Sequence, residues 1–214
     1  GAPRPAAAFV RLTVTCKAGH GALPGGGIGA TVAASAMVLA LQTIASREFS
    51  PLDPIVVTGG TLHSGARFNI ISGEAVLEGT VRSFNKDIHP HMPEIMERIA
   101  KQTAAAYRCT AELDYQFKTE ILVNEPHMTA IARAAAEKLV PPEKIFPFQR
   151  NMGGEDFAKY DNPKALLLLG GGFADASRRY PQHSPHYDID ERALLLGVEY
   201  FAEYVREWEK ELLK

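Results

Sequence analysis

The chain has 214 residues, with 23 Lys and Arg against 25 Asp and Glu and a formal net charge of −2; nothing in that balance favours a nucleic-acid or anionic-membrane partner. Its 46% hydrophobic and 22% charged residues are those of an ordinary globular protein, long enough for one large domain or two modest ones. Cys16 and Cys109 are too few for a disulfide scaffold and lack the spacing of a zinc knuckle; no apolar run approaches a membrane span, and a cytoplasmic setting is the default expectation.

Residues 1–8, Gly-Ala-Pro-Arg-Pro-Ala-Ala-Ala, have no apolar signal core and read as a linker or a cut end. From Phe9 to Cys16, Val10, Leu12, Val14 and Cys16 alternate with Phe9, Arg11, Thr13 and Thr15, which predicts a strand with one buried face. A Gly-rich loop, Gly19 to Gly29, leads into a predicted Ala-rich helix from Thr31 to Arg47, stopped by Pro51 and Pro54. Strands follow at Ile55–Leu62 and Glu74–Phe84. Pro93 suits the first turn of the next helix, whose apolar face is expected at Ile95, Ile99, Thr103 and Ala106. Thr110–Lys118 closes this part as a strand. The order strand, helix, strand, strand, helix, strand matches a split βαβ unit: a four-stranded antiparallel sheet with two helices on one face.

Beyond residue 118 the pattern changes. Glu120–Pro126 reads as a crossing between domains, and Thr129–Leu139 as a helix. Ala165–Leu169 is uniformly apolar and ends in Gly170 to Gly172, which predicts a strand buried on both faces. A last helix is expected after Asp188, with Asp188 as N-cap, Glu191 completing a capping box, and Ala193, Leu194, Leu195, Val198, Phe201, Ala202 and Val205 inside. A sheet cannot be built from one strand, so this half needs partners that these residues do not supply. The fold class is α/β: an α+β unit over 9–118 and, over 119–214, part of an α/β domain.

Several residues carry chemistry. His183 precedes Ser184-Pro185, and the proline biases Ser184 away from helical angles; the imidazole is either a metal ligand held in a set orientation or an incidental surface histidine. His20 lies between Gly19 and Gly21, as a turn histidine or as an N–H donor to a developing oxyanion. Asn69 and Arg82 offer an amide and a guanidinium fork suited to a carboxylate, or simply face water. Glu155 and Asp156 follow Gly153-Gly154 and act as helix caps, or ligate a metal or orient a ligand. Gly25-Gly26-Gly27-Ile28-Gly29-Ala30 matches the letters of a dinucleotide fingerprint, but Gly25 stands nine residues past Cys16, where the motif needs a tight strand-to-helix turn. His89, His91 and His127 are expected at the surface.

Six stretches, in order, resemble the M20 metallopeptidase and amidohydrolase family, and within it the branch of hippurate, N-acyl-amino-acid and auxin-conjugate hydrolases. They are Gly19-His20-Gly21-Ala22-Leu23-Pro24, Leu41 to Glu48, Ala66-Arg67-Phe68-Asn69-Ile70-Ile71, Leu77 to Phe84, Met152-Gly153-Gly154-Glu155-Asp156-Phe157 and His183-Ser184-Pro185. The resemblance implies that 9–118 is a lid that also makes a homodimer, and that 119–214 is the C-terminal portion of a catalytic domain. It implies hydrolysis of the amide of an N-acyl amino acid or small peptide with two divalent metals, zinc, manganese, cobalt or nickel. His183 would be a metal ligand, and His20 would serve the partner subunit's tetrahedral intermediate. Asn69 and Arg82 would hold the substrate's carboxylate or amide end, with Gly153, Gly154 and Glu155 beside it. The family's first His and Asp motif, its bridging ligand and its paired glutamates precede the lid and have no match here. Gly25 also stands where the branch often has a second histidine. The 214 residues alone are therefore expected to be inactive and to bind metal poorly; the alternative is a non-catalytic dimerisation or binding module of the same family.

Overall fold

A computed structural model describes residues 4–213. They form two compact units, one of residues 4–122 with 151–159, the other of 123–150 with 160–213.

The first unit is built on strands β1 (Ala6–Thr15), β3 (Ile55–Ser64), β5 (Glu74–Ser83) and β6 (Thr110–Thr119) in the order β3-β5-β1-β6, every neighbouring pair antiparallel. Period-two alternation decides the faces. Val10, Leu12 and Val14 of β1 lie beside Gly79, Leu77 and Ala75 of β5 and join a buried core with Met37, Met92 and Met96. Helices α1 (Ala30–Leu41) and α2 (Met92–Ala106) supply that core's second layer. This is the split βαβ arrangement expected from the sequence. A two-stranded ribbon, β2 (Gly19–His20) with β4 (Ile70–Ile71), projects from the end of the sheet where β5 begins.

Details differ from the sequence reading for local reasons. The helix expected to run to Arg47 stops at Leu41 and continues as a π turn over Ile44–Glu48. There the Thr43 hydroxyl donates to the Ala40 carbonyl at 2.7 Å and Ser46 to Gln42 at 3.4 Å, competing with the regular ladder. Ala30–Glu48 is long and apolar enough by composition to cross a membrane, contrary to the expectation that no run is; Ala30, Ala33, Ala34, Met37, Leu41 and Ile44 are instead buried in the core. The buried stripe of α2 is Met92, Met96, Ile99, Ala100 and Ala104, rotated from the expected face because the long Met side chains reach the sheet. His89 is not a surface residue: it is 3% exposed. Cys16 and Cys109 are joined by a disulfide, Cα atoms 4.6 Å apart, just beyond the last β1–β6 pair, Thr15 with Thr110.

The second unit has helices α3 (Pro126–Glu137) and α4 (Arg192–Leu212) and no strand among the described residues. The Glu125 carboxylate caps α3, accepting from the His127 and Met128 amides at 3.0 and 2.7 Å, with Pro126 at the first turn. Lys138 forms ion pairs with Glu203 and Glu207 of α4. Ala165–Leu169, expected as a doubly buried strand, is unpaired, and Leu167, Leu168 and Leu169 are exposed. The Asn124 side chain lies beside it, donating to the Leu166 carbonyl at 2.9 Å and accepting from the Leu166 amide at 2.8 Å, as a neighbouring strand would. Asp188 is not the N-cap of α4. The helix starts at Arg192, whose amide donates to Asp190 Oδ1 at 3.2 Å. The apolar face of α4 exists as expected, but none of its residues is buried, and Leu194, Leu195, Val198, Phe201 and Val205 are exposed.

Candidate functional site

The sequence-predicted residues fall at three places. His20 and Asn69 come together on the ribbon. His20 pairs with Ile70, and the Gly21 amide donates to the Asn69 carbonyl at 2.8 Å. Gly21 is required there, since a Cβ would sit 2.9 Å from that oxygen. The Ala22 amide donates to His20 Nδ1 at 3.1 Å. With Nδ1 accepting, the neutral ring carries its proton on Nε2, so an exposed imidazole presents an N–H donor to solvent.

Arg82 lies at the opposite end of β5. It is eight residues past Glu74, about 26 Å along an extended strand. Its side chain is on the face of the sheet away from the helices, where its Nε donates to Thr80 Oγ1 at 3.1 Å. The loop 153–156 lies against this face and borders an open cleft of about 420 Å³ lined by Phe9, Arg82, Lys118, Thr119, Gly154 and Glu155, among others. Gly154 permits the close approach: a Cβ would stand 2.6 Å from Arg82 Nη1 and 3.3 Å from Thr119 Oγ1. Asn151 fixes the loop, its Oδ1 accepting from the Gly153 amide at 2.9 Å and from Arg4 Nη1 at 2.6 Å. Glu155 does two things, lining the cavity and accepting from the Phe157 amide at 3.4 Å.

Lys118 and Thr119 were missed from the sequence. Strict alternation puts Thr119 on the helix side with Tyr115 and Phe117. A bulge intervenes, so that Phe117 pairs with Ala8 but Thr119 with Ala7; the extra residue turns Thr119 to the open face. Its hydroxyl is buried without a hydrogen-bond partner among the described residues.

His183, in the second unit, is exposed and has φ +70°. A non-glycine residue in this region bears roughly 1–2 kcal/mol of strain. The turn is held by the Ser184 amide donating to the Pro181 carbonyl at 3.1 Å and the Tyr187 amide to the Ser184 carbonyl at 3.0 Å. Among the described residues no three His, Cys, Asp or Glu side chains converge as a metal site. A catalytic zinc takes three protein ligands, so these residues do not by themselves fit a complete metal centre, and His183 offers one imidazole.

The family model described as Peptidase family M20/M25/M40 matches residues 17–207. The protein named Probable hydrolase sll0100, from Synechocystis sp., is 31% identical over 92% of this chain and 51% of its own length. The N-acetylcysteine deacetylase of Bacillus subtilis is 31% identical over 90% of this chain and 49% of its own. Among solved structures, the Bacillus subtilis YXEP protein, described as a dinuclear metal binding peptidase from the M20 family, superposes with a TM-score of 0.70 at 26% identity, covering 94% of this chain and 49% of that one. The chain thus spans about half the length of the curated relatives it matches. With a family match across residues 17–207, the chain belongs to peptidase family M20/M25/M40.

Proposed function

We propose that this chain is the lid and C-terminal portion of a metal-dependent amidohydrolase that cleaves the amide of an N-acyl amino acid or small peptide. The observation that carries the reading is the cavity on the open face of the sheet, where Arg82 and Lys118 meet a glycine loop. Arg82 offers a planar fork to the substrate's carboxylate, and Gly154 lets the substrate's backbone pass close to it. His20 supplies an Nε2–H donor for the oxyanion of the tetrahedral intermediate. The remaining ligands and the general base come from polypeptide that these residues do not include.

The distance between the two ends of β5 supports a homodimer. His20 and Asn69 at one end and Arg82 at the other cannot grip one small substrate from the same subunit; a second copy brings its ribbon to the first copy's cavity. The sheet edges favour one mode of association. The β6 edge carries Glu112, Asp114 and Lys118, charges that discourage strand addition. The β3 edge, Ile55–Ser64, has no Asp, Glu, Lys or Arg and suits pairing with its own copy.

The test is hydrolysis of N-acyl amino acids with added divalent metal, by this chain alone and by the polypeptide completed to the relatives' length. Turnover is expected only from the completed protein. There Arg82→Ala should raise KM by about 10- to 100-fold, the loss of a charged hydrogen-bonded contact of roughly 1.5–3 kcal/mol, with a smaller change in kcat. Stoichiometric metal and turnover in the 214 residues alone contradict the reading; a completed protein that dimerises but never turns over favours a binding module.

A further inference from the structure

The disulfide lies between two irregular segments. Cys16 directly follows β1, and its amide donates to the Gly73 carbonyl at 2.8 Å. Directly after it the chain leaves the sheet as the loop that carries His20, with the Ile28 amide returning to the Lys17 carbonyl at 2.9 Å. Cys109 follows Arg108, a non-glycine residue at φ +58° in the turn out of α2. The Arg108 and Cys109 amides tie that turn to the Ala105 and Ala104 carbonyls, each at 2.9 Å. The cystine therefore pins the root of the ribbon to a strained helix–strand turn, at the end of the sheet where no further β1–β6 ladder bonds hold either strand. The ring it closes runs from residue 16 to residue 109 and contains the ribbon, both helices of the unit and two of its four strands. Cys109 is buried and Cys16, packed against the core, is partly buried, so the Cys16 side is the more open approach for a reductant.

We propose that the Cys16–Cys109 disulfide is a redox clamp on the His20 loop, closed in an oxidising setting and opened by a dithiol. The chemistry is ordinary exchange. A thiolate of the external dithiol attacks the Cys16 sulfur, the S–S bond breaks, and Cys109 leaves as the thiolate. The second external thiol then resolves the mixed disulfide and releases Cys16. Two electrons and two protons pass to the protein, which gains two thiols, and the reductant becomes a disulfide. In a reducing compartment the clamp is open; in an oxidising compartment it is shut. The consequence for catalysis rests on the role proposed for His20, whereas the ordering of the loop does not.

The test uses the 214-residue chain without activity as a readout. Intact mass and thiol titration establish the oxidised and dithiol-reduced forms, and amide hydrogen exchange under native conditions is compared between them. Reduction should speed exchange across residues 17–29 and 70–73 by at least roughly tenfold more than at the centre of the sheet, around Leu12 and Leu77. The melting temperature should also fall by on the order of 10 °C. A Cys16→Ala/Cys109→Ala variant should match the reduced form and ignore reductant; if it does not fold, the oxidised and reduced wild-type pair alone decides. Two unpaired thiols after exposure to a disulfide oxidant, unchanged exchange in 17–29, or uniform acceleration through the whole sheet each overturn the proposal. Turnover that ignores His20 in a completed enzyme would sink the catalytic reading and leave this one standing.

Discussion

A single missing side chain sets how Arg82 is presented. Gly154 lies where a Cβ would touch the far end of the Arg82 guanidinium, a flexible group, before it touched backbone. Gly154→Ala should therefore displace the guanidinium and leave the fold intact: in the completed enzyme KM should rise about tenfold, while the melting temperature of the chain changes by less than a few degrees. Thermal melts and Michaelis constants separate the two effects. At this scale the sequence showed polar residues with a reason to be polar, such as His20 between glycines and Arg82 in an otherwise alternating strand. It hid Lys118 and Thr119, because a bulge leaves no compositional trace when the inserted residue is itself an ordinary strand-edge lysine. It also hid the burial of His89, because a proline-flanked histidine before a helix looks the same whether the turn faces water or the sheet.

Between elements, the pairing of β3 with β5 depends on Gly79. Gly59 lies opposite it, and the register shifts just beyond, between Gly59 and Thr61. A Cβ on Gly79 would land on the Thr58 carbonyl oxygen, a backbone atom that cannot step aside. Gly79→Ala should cost about 1–3 kcal/mol and lower the denaturant midpoint, with the loss concentrated in exchange protection of β3. The turn before α2, whose His89 ring meets Phe117 of β6, makes a different prediction. His89 is buried with neither ring nitrogen hydrogen-bonded among the described residues, its ring edge-on to Phe117 at 4.9 Å. Burial lowers its pKa below the ordinary 6.5, against the pull of nearby Glu120. The unfolded chain then binds the proton more readily than the folded one, so stability falls as pH drops below about 6.5 and stops falling once the folded-state pKa is passed. His89→Phe keeps an aromatic ring against Phe117 and should flatten the pH dependence of the melting temperature between pH 7 and 5; an unchanged slope assigns the acid lability to other groups. Strands β1, β5 and β6 were readable because their buried and open residues alternate. Ala165–Leu169 was misread because uniform apolarity reports burial in a complete domain, and here the Asn124 side chain, not a strand, supplies the backbone hydrogen bonds beside the run among the described residues.

For the molecule as a whole, the two units differ in how finished they are. The sheet unit buries a continuous core. The second unit exposes an amphipathic helix of 21 residues with none buried and a leucine run with no strand partner, the features of surfaces that a further layer of polypeptide would cover. The proposed homodimer joins catalytic contributions from separate copies as well as separate stretches, because Arg82 lies near the end of one strand, β5, and His20 on the ribbon beside its start. Subunit complementation measures this most directly. His20→Ala and Arg82→Ala versions of the completed enzyme are unfolded together, refolded as an equal mixture and assayed on an N-acyl amino acid held well below the wild-type KM, where the turnover defect of the first and the capture defect of the second each leave little activity. If the ribbon of one copy serves the cavity of the other, half of the dimers are hybrids with one intact site in two, and roughly a quarter of wild-type turnover should return. A mixture no more active than its components would place both residues in the same subunit's site and contradict the account.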